Sequence, residues 1–176
     1  MLYFVESDLS DRTLEMEWHA WYDSHIQRLL TVPGFLSGQR FLATHSTASP
    51  FAAIYGIKNA GVMSSETYRA RFGPNAAGVW KQRMTNWKRN LLEGIDELPD
   101  LSADSWLAVI DRYTTGSAAL PSNYTSTRPV GLDHSVVERG LLLGTNAEKP
   151  PTHFERDGWS LRIFRPLTPK ITATAD

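Results

Sequence analysis

The side chains in this sequence that could do chemistry are a histidine, an arginine and a set of aromatic residues placed inside otherwise apolar elements. His25 interrupts the apolar stripe Leu14, Trp18, Trp21, His25 and Leu29. An imidazole with an ordinary pKa of about 6.5 suits proton transfer near neutrality. The competing reading is a helix-end histidine that bonds backbone and packs on Trp21. Arg40 falls between Gly38 and Leu42, so it shares a face with apolar neighbours and could hold a substrate carboxylate or an enolate oxygen. It could equally pair with an acid at a sheet edge. Tyr55 stands in an apolar strand, and Tyr22 and Tyr68 could add hydroxyls to a pocket, although buried tyrosines also serve as packing. Trp18, Trp21, Trp80 and Trp87 fall on the inner stripes of two expected helices. There they would either wall a pocket for an aromatic ligand or fill a core.

Other constellations are weaker. His153, Phe154 and Glu155, with His134 upstream, contain the residue types of a two-histidine, one-carboxylate metal site, but no HExxH run exists and the spacing is wrong, so no metal is expected. Asp23-Ser24-His25 and Asp133-His134-Ser135 hold triad residue types, yet adjacency in sequence is not triad geometry and no G-x-S-x-G elbow occurs. Residues 69 to 90 contain Arg69, Arg71, Lys81, Arg83, Lys88 and Arg89 and no acid. The RNA modules with a comparable sheet read bases with strand aromatics, so a solvated basic helix face is the expectation and nucleic acid is not. No glycine-rich phosphate loop or dinucleotide fingerprint is present, and no cofactor is expected.

Composition narrows the class. The 176 residues are 41% hydrophobic and 21% charged, enough for one domain with a real core. Eighteen basic and nineteen acidic residues nearly cancel, which argues against wholesale binding to nucleic acid or a membrane surface. The absence of cysteine excludes disulfides, thiolate metal sites and cysteine nucleophiles. Apolar runs fall short of the ~18 residues that span a bilayer, and the first twenty residues are acidic instead of basic then apolar. A cytoplasmic protein is expected.

The elements that must position these residues follow from pattern. Leu2 to Val5 reads as a strand, and the stripe from Leu14 to Leu29 as an amphipathic helix starting near Arg12 and ended by Pro33 and Gly34. Phe35 to Thr44 and Phe51 to Ile57 read as strands. Thr67 to Phe72 and Asn75 to Ile95 read as helices, the second on the repeat Trp80, Met84, Trp87, Leu91 and Ile95. Trp106 to Tyr113 is strand-like. Residues 114 to 131 read as a loop, Val136 to Leu143 and Trp159 to Phe164 as further strands, and 166 to 176 as a partly disordered tail. No internal repeat is visible.

The order is βαββαβ, in which right-handed crossovers put both helices on one face of an antiparallel sheet. Residues 51 to 57 and 106 to 110 are apolar on both parities, so both faces should be buried. The second face could be covered by another subunit or by the chain beyond Tyr113.

The run Glu17-Trp18-His19-Ala20-Trp21-Tyr22-Asp23-Ser24-His25-Ile26, followed by Val32-Pro33-Gly34-Phe35 and Arg40-Phe41, resembles the first helix and second strand of dimeric α/β-barrel proteins. Among these are EthD-like proteins and related families whose tryptophan-rich first helix ends in His-Ile-Pro; Gln27 stands here in place of that proline. The resemblance covers roughly residues 1 to 113. It implies a ferredoxin-like α+β fold, a homodimer closing an α/β barrel, and a cleft between sheet and helices for small, often aromatic or lactone substrates. His25 matches a histidine that methylmuconolactone isomerase-like relatives use in their cleft. The resulting expectation is a ferredoxin-like core over 1–113 with residues 114–176 as an extension of the same domain. It would act as a cofactor-independent lyase, isomerase or cyclase on a small apolar or aromatic carbonyl compound. His25, Arg40 and Tyr55 would be catalytic, and Trp18, Trp21, Tyr22, Tyr68, Trp80 and Trp87 would bind substrate. The alternative is a non-catalytic small-molecule binding or accessory protein.

Overall fold

A computed structural model describes residues 1–72, 76–115, 118–153 and 158–174. The elements in chain order are β1 (Leu2–Leu9), α1 (Glu15–Leu29), β2 (Phe35–Ala43), β3 (Phe51–Ile57), α2 (Glu66–Phe72), α3 (Trp80–Arg83), β4 (Met84–Glu93), β5 (Ser105–Arg112), β6 (Thr125–Leu132), β7 (Glu138–Thr145), β8 (Trp159–Pro166) and β9 (Ile171–Thr172). The fold is α+β. The antiparallel sheet runs β3-β1-β4-β6-β7-β5-β8-β2, and pairing of β2 with β3 closes it into an eight-stranded barrel; β9 adds to the free part of β2.

Two halves of the chain share one strand order. The first four strands lie as β4-β1-β3-β2 and the next four as β8-β5-β7-β6, the fourth-first-third-second order of a ferredoxin-like sheet in each case. Each half joins the other where its fourth strand meets the partner half's second, through β4 with β6 and β2 with β8. Even the inward residues correspond, Leu2, Phe4 and Glu6 on β1 against Leu107, Val109 and Asp111 on β5. This structural repeat is invisible as sequence similarity, and it corrects the expectation of none.

The cover for the inner sheet face therefore comes from the same chain. Sheet-against-sheet packing of two copies, as the resemblance implied, is not available to a face that lines the inside of a closed barrel. Among the described residues only the first half carries crossover helices. On the second half, residues 118 to 124 lie in their place, with Leu120 and Tyr124 packed over Trp106, Ile110 and Ile163.

The helix expected over 75–95 is instead one short turn, α3, followed by strand β4. A β-bulge explains the misreading. The register between β1 and β4 slips between Glu6–Lys88 and Asp8–Thr85, and Asn86 takes a positive φ of 49°. The extra residue stretches the outward spacing from two to three, so Met84, Trp87 and Leu91 recur as they would on a helix. The loop expected over 114–131 contains β6, whose Ser, Thr, Gly and Pro content hides a largely exposed strand; its Pro129 sits beside a register shift, where a missing N–H is tolerated. The tail expected to be partly disordered docks over its described residues, 166 to 174. β9 pairs with β2 at Ser37 and Gly38, and the Lys170 ammonium donates to the Leu98 carbonyl at 2.7 Å.

At one end the barrel is filled by apolar side chains, including Leu2, Phe4, Phe41, Leu92, Leu107 and Phe164. At the other it holds four charges on four strands: Glu6, Asp111, Arg139 and Arg162. Arg139 donates to Asp111 at 2.6 and 3.1 Å and to Glu6 at 2.7 Å, while Arg162 donates to Asp111 at 2.5 Å and also to Glu6. The Phe4 ring lies 4.2 Å below the Arg139 guanidinium. Burial raises the Asp111 carboxyl, and the two guanidinium groups more than reverse it, leaving it below its ordinary value. No helix among the described residues is long and apolar enough to cross a membrane.

Candidate functional site

The site is set by how α1 crosses the outer face of β1, β3 and β2. Gly34 permits the reversal after α1: its φ is +97°, and a Cβ there would stand 2.5 Å from a Val62 methyl. Trp18, Tyr22, Ile26 and Leu29 are the buried stripe of α1. Gly38 clears room for the Tyr55 ring, which a Cβ would meet at 2.9 Å. The ring stacks on Tyr3 at 5.5 Å.

Between α1, α2, the segment from Ala76 to Lys81 and the outer face of β1, β3 and β4 lies a cavity of about 390 Å³, within the range of small-molecule sites. Its walls are aromatic: Tyr3, Trp21, Tyr22, Tyr55, Tyr68, Phe72 and Trp87, with His25 among them. The His25 ring stacks on Trp21 at 4.7 Å and meets Phe72 edge-on at 5.5 Å. Tyr68 stacks on Phe72 and on Phe35, each at 6.0 Å. Trp87 and Arg89 reach the cavity because they alternate with Leu91 on the outward face of β4, with the guanidinium 4.6 Å from the indole.

Three buried polar atoms of residues in these walls lack a close hydrogen-bond partner within the chain, Nδ1 of His25, the hydroxyl of Tyr55 and Nε of Arg89. Buried polar groups are normally satisfied; the Tyr55 hydroxyl has the Tyr22 phenol beside it as a partner, which leaves the two nitrogens. Burial, reinforced by Arg28, lowers the imidazole of His25 to about 4, so it is neutral at pH 7. Burial, and the phenols of Tyr22 and Tyr3 beside it, hold the Tyr55 hydroxyl well above the usual phenol range, so it stays protonated. His25 thus contributes a neutral imidazole, and Tyr55 a protonated phenol, to the walls of one largely aromatic space.

Of the residues singled out from sequence, His25, Tyr55, Trp21, Tyr22, Tyr68 and Trp87 meet at this cavity. Arg40 does not line it. It faces α1, as its parity with Gly38 and Leu42 requires, but it is fully engaged there. It donates to Asp23 at 3.1 Å, bonds Nδ1 of His19 at 2.6 Å and lies over the rings of Tyr22 and Trp18 at 4.6 and 5.0 Å. Burial and the adjacent Arg40 lower the pKa of His19, which keeps its nitrogen an acceptor for the guanidinium. Arg40 is a clip between helix and sheet. Trp18 packs in the core against Phe51 at 4.6 Å, and Trp80 supports Trp21 from behind at 6.0 Å. Sequence reading missed Tyr3, Phe72, Met63 and three cations, Arg69, Lys81 and Arg89, as cavity residues. The acid-free run from 69 to 90 was their signal. Of the weak metal set, Phe154 and Glu155 lie outside the described residues; His134 stands in a turn at φ 44°. No group of three metal-ligating side chains occurs among the described residues.

The architecture defines a single-chain, antiparallel α+β barrel made of two ferredoxin-like halves, with one half carrying a helix-covered cavity. No known family profile matches the chain, and no curated protein matches it. A solved structure of an anthrone oxidase-like protein shares the fold, with a TM-score of 0.51 and 8% identity over 99% of this chain and 94% of that one.

Proposed function

We propose that this protein is a cofactor-independent lyase, isomerase or cyclase that moves a proton on a small aromatic carbonyl compound bound in the cavity beside His25. The observation that supports the reading is that His25, kept neutral, and Tyr55, kept protonated, line one aromatic-walled cavity. In the proposed step Tyr55 donates its O–H to the substrate carbonyl oxygen. His25 accepts the proton from the adjacent carbon, an enol-like species forms, and His25 returns the proton at another carbon. Atoms and electrons balance without an added oxidant. Burial of Tyr55 strengthens its hydrogen bond to the developing oxyanion. The anthrone oxidase-like neighbour supports the aromatic carbonyl class, because an anthrone is an aromatic ketone.

One observation favours a second reading, a non-catalytic binding protein: among the described residues no carboxylate lines the cavity to orient or polarise His25. Proton exchange separates the two. Aromatic ketones and lactones with an acidic C–H are incubated in D₂O with the protein and followed by NMR. Catalysed deuterium uptake that falls at least about 100-fold in His25→Gln and about 10-fold or more in Tyr55→Phe is expected. Tight binding with no exchange above the buffer rate would leave only the binding role.

A further inference from the structure

We infer that the ligand of this cavity is an anion, a small aromatic carboxylate whose charged group meets Arg89 while its ring lies among the aromatic walls. The inference rests on the reading of this cavity as the ligand site and adds the charge of the occupant. Arg69, Lys81 and Arg89 line the cavity, and among the described residues no aspartate or glutamate does. In a chain whose basic and acidic residues nearly cancel, this is a local concentration of positive charge. An anion entering an apolar space flanked by three cations is favoured, and a cation is rejected.

Arg69 and Lys81 are exposed and form no ion pair among the described residues, which fits them to the mouth and to drawing an anion in. Arg89 is different in kind. Its side chain is about one-third exposed, and its Nε is buried without a hydrogen-bond partner. The guanidinium donates to Asp133 at 3.4 Å, a carboxylate that is not part of the cavity wall. Lying 4.6 Å from the centre of the Trp87 ring, it keeps further donors for a ligand carboxylate and leaves the indole to take the attached ring.

The chain fixes this cation deliberately. The Arg89 N–H donates to the Asp133 carboxylate at 2.8 Å, and the Asp133 N–H returns a bond to the Arg89 carbonyl at 2.9 Å. Next along the strand, the Asn90 amide donates to Ser135 Oγ at 2.8 Å and accepts from the Ser135 N–H at 2.9 Å. These bonds hold the turn after β6, in which Leu132 sits at φ 66° and extends over the cavity. A left-handed leucine is strained, and such strain persists only where the surroundings impose it. The turn therefore forms one lip of the opening, and through Asp133 it also holds the Arg89 guanidinium.

The test is calorimetric titration of ring carboxylates against their own primary amides, which share shape and lack charge. Each acid is expected to bind at least about 10-fold more tightly than its amide at low salt. Arg89→Met should abolish most of that preference and Arg89→Lys should keep part of it. His25→Gln should leave it intact even though proton exchange is lost, which separates this inference from the catalytic one. Should Arg89→Met not fold, Arg69→Met/Lys81→Met, altered only at exposed positions, should still lower the preference about three-fold. Equal binding of acid and amide, or an undiminished preference in these variants, would overturn the inference while leaving the ligand site itself standing. If no ring compound of either charge binds, both fail together.

Discussion

His25 should make the stability of this protein depend on pH in a window where most side chains are silent. Its imidazole is held at about 4 by burial and by Arg28, against 6.5 for the free side chain. The gap corresponds to about 3 kcal/mol of preference for the neutral form. Because the folded value lies below the unfolded one, the unfolded chain binds the proton first as pH falls from 6.5. Stability is therefore complete above 6.5, declines by up to about 1.4 kcal/mol per pH unit, and has lost the full amount below about 4. For a chain of this length that loss amounts to roughly 6–12 °C in Tm. His25→Phe keeps a ring against Trp21 and removes the titration. Urea unfolding of both proteins at half-unit steps from pH 7.5 to 4 gives the difference directly. His19 is lowered as well and contributes with the same sign in both proteins, so the subtraction isolates His25. Parallel profiles, or an imidazole that titrates near 6.5 by NMR in the folded protein, would refute the burial argument and the neutral state on which the mechanism depends.

Other expectations follow from the same geometry. If His25 accepts the substrate proton, the acidic limb of kcat/KM should fall near pH 4 instead of 6.5, since only the neutral imidazole is competent; a limb near 6.5 would point to another base. Arg139→Met removes three hydrogen bonds to Asp111 and Glu6 and leaves two buried carboxylates with one guanidinium. It should cost about 3–5 kcal/mol in urea unfolding, and a loss under about 1 kcal/mol would show the charges to be solvated. Because Asp111 is held below its unfolded value, its contribution is present above about pH 4 and is lost as pH falls through the folded value. The same substitution should therefore flatten the acid limb of stability below pH 4. Arg40→Met should destabilise by about 1–3 kcal/mol and change ligand affinity less than three-fold, because Arg40 binds α1 and not the cavity; a large loss of affinity with intact stability would restore its ligand role.

Much of the first half was legible because its signals are local. The stripe of α1, the Pro33-Gly34 stop and the doubly apolar β3 each follow from short-range periodicity, and they located His25, Trp21 and Tyr55. The second half depends on long-range pairing. β6 is nearly devoid of buried side chains, so its sequence resembles a loop, and only its partners β4 and β7 make it a strand. Strand β4 was hidden by the bulge at Asn86, which gave Met84, Trp87 and Leu91 a helical rhythm. That one error carried others with it. It made β5 the fourth strand of the first half, and it placed the basic run 69–90 on a solvated helix face when Lys81 and Arg89 turn into the cavity. Arg40 shows the converse: its face was readable from parity, but its partners on α1, His19 and Asp23, lie a full crossover away in sequence. The buried charges illustrate the same limit, for Glu6, Asp111, Arg139 and Arg162 come from four strands and no local pattern links them.

The account stands on the cavity beside His25 and Tyr55 being the place where a ligand binds. Crystals soaked with small aromatic acids and lactones test this most directly. Density between the Trp21 and Trp87 walls is expected, with a ligand oxygen within hydrogen-bond distance of the Tyr55 hydroxyl and the ring next to His25 Nδ1. An empty or collapsed cavity, with ligand bound elsewhere on the barrel, would contradict it.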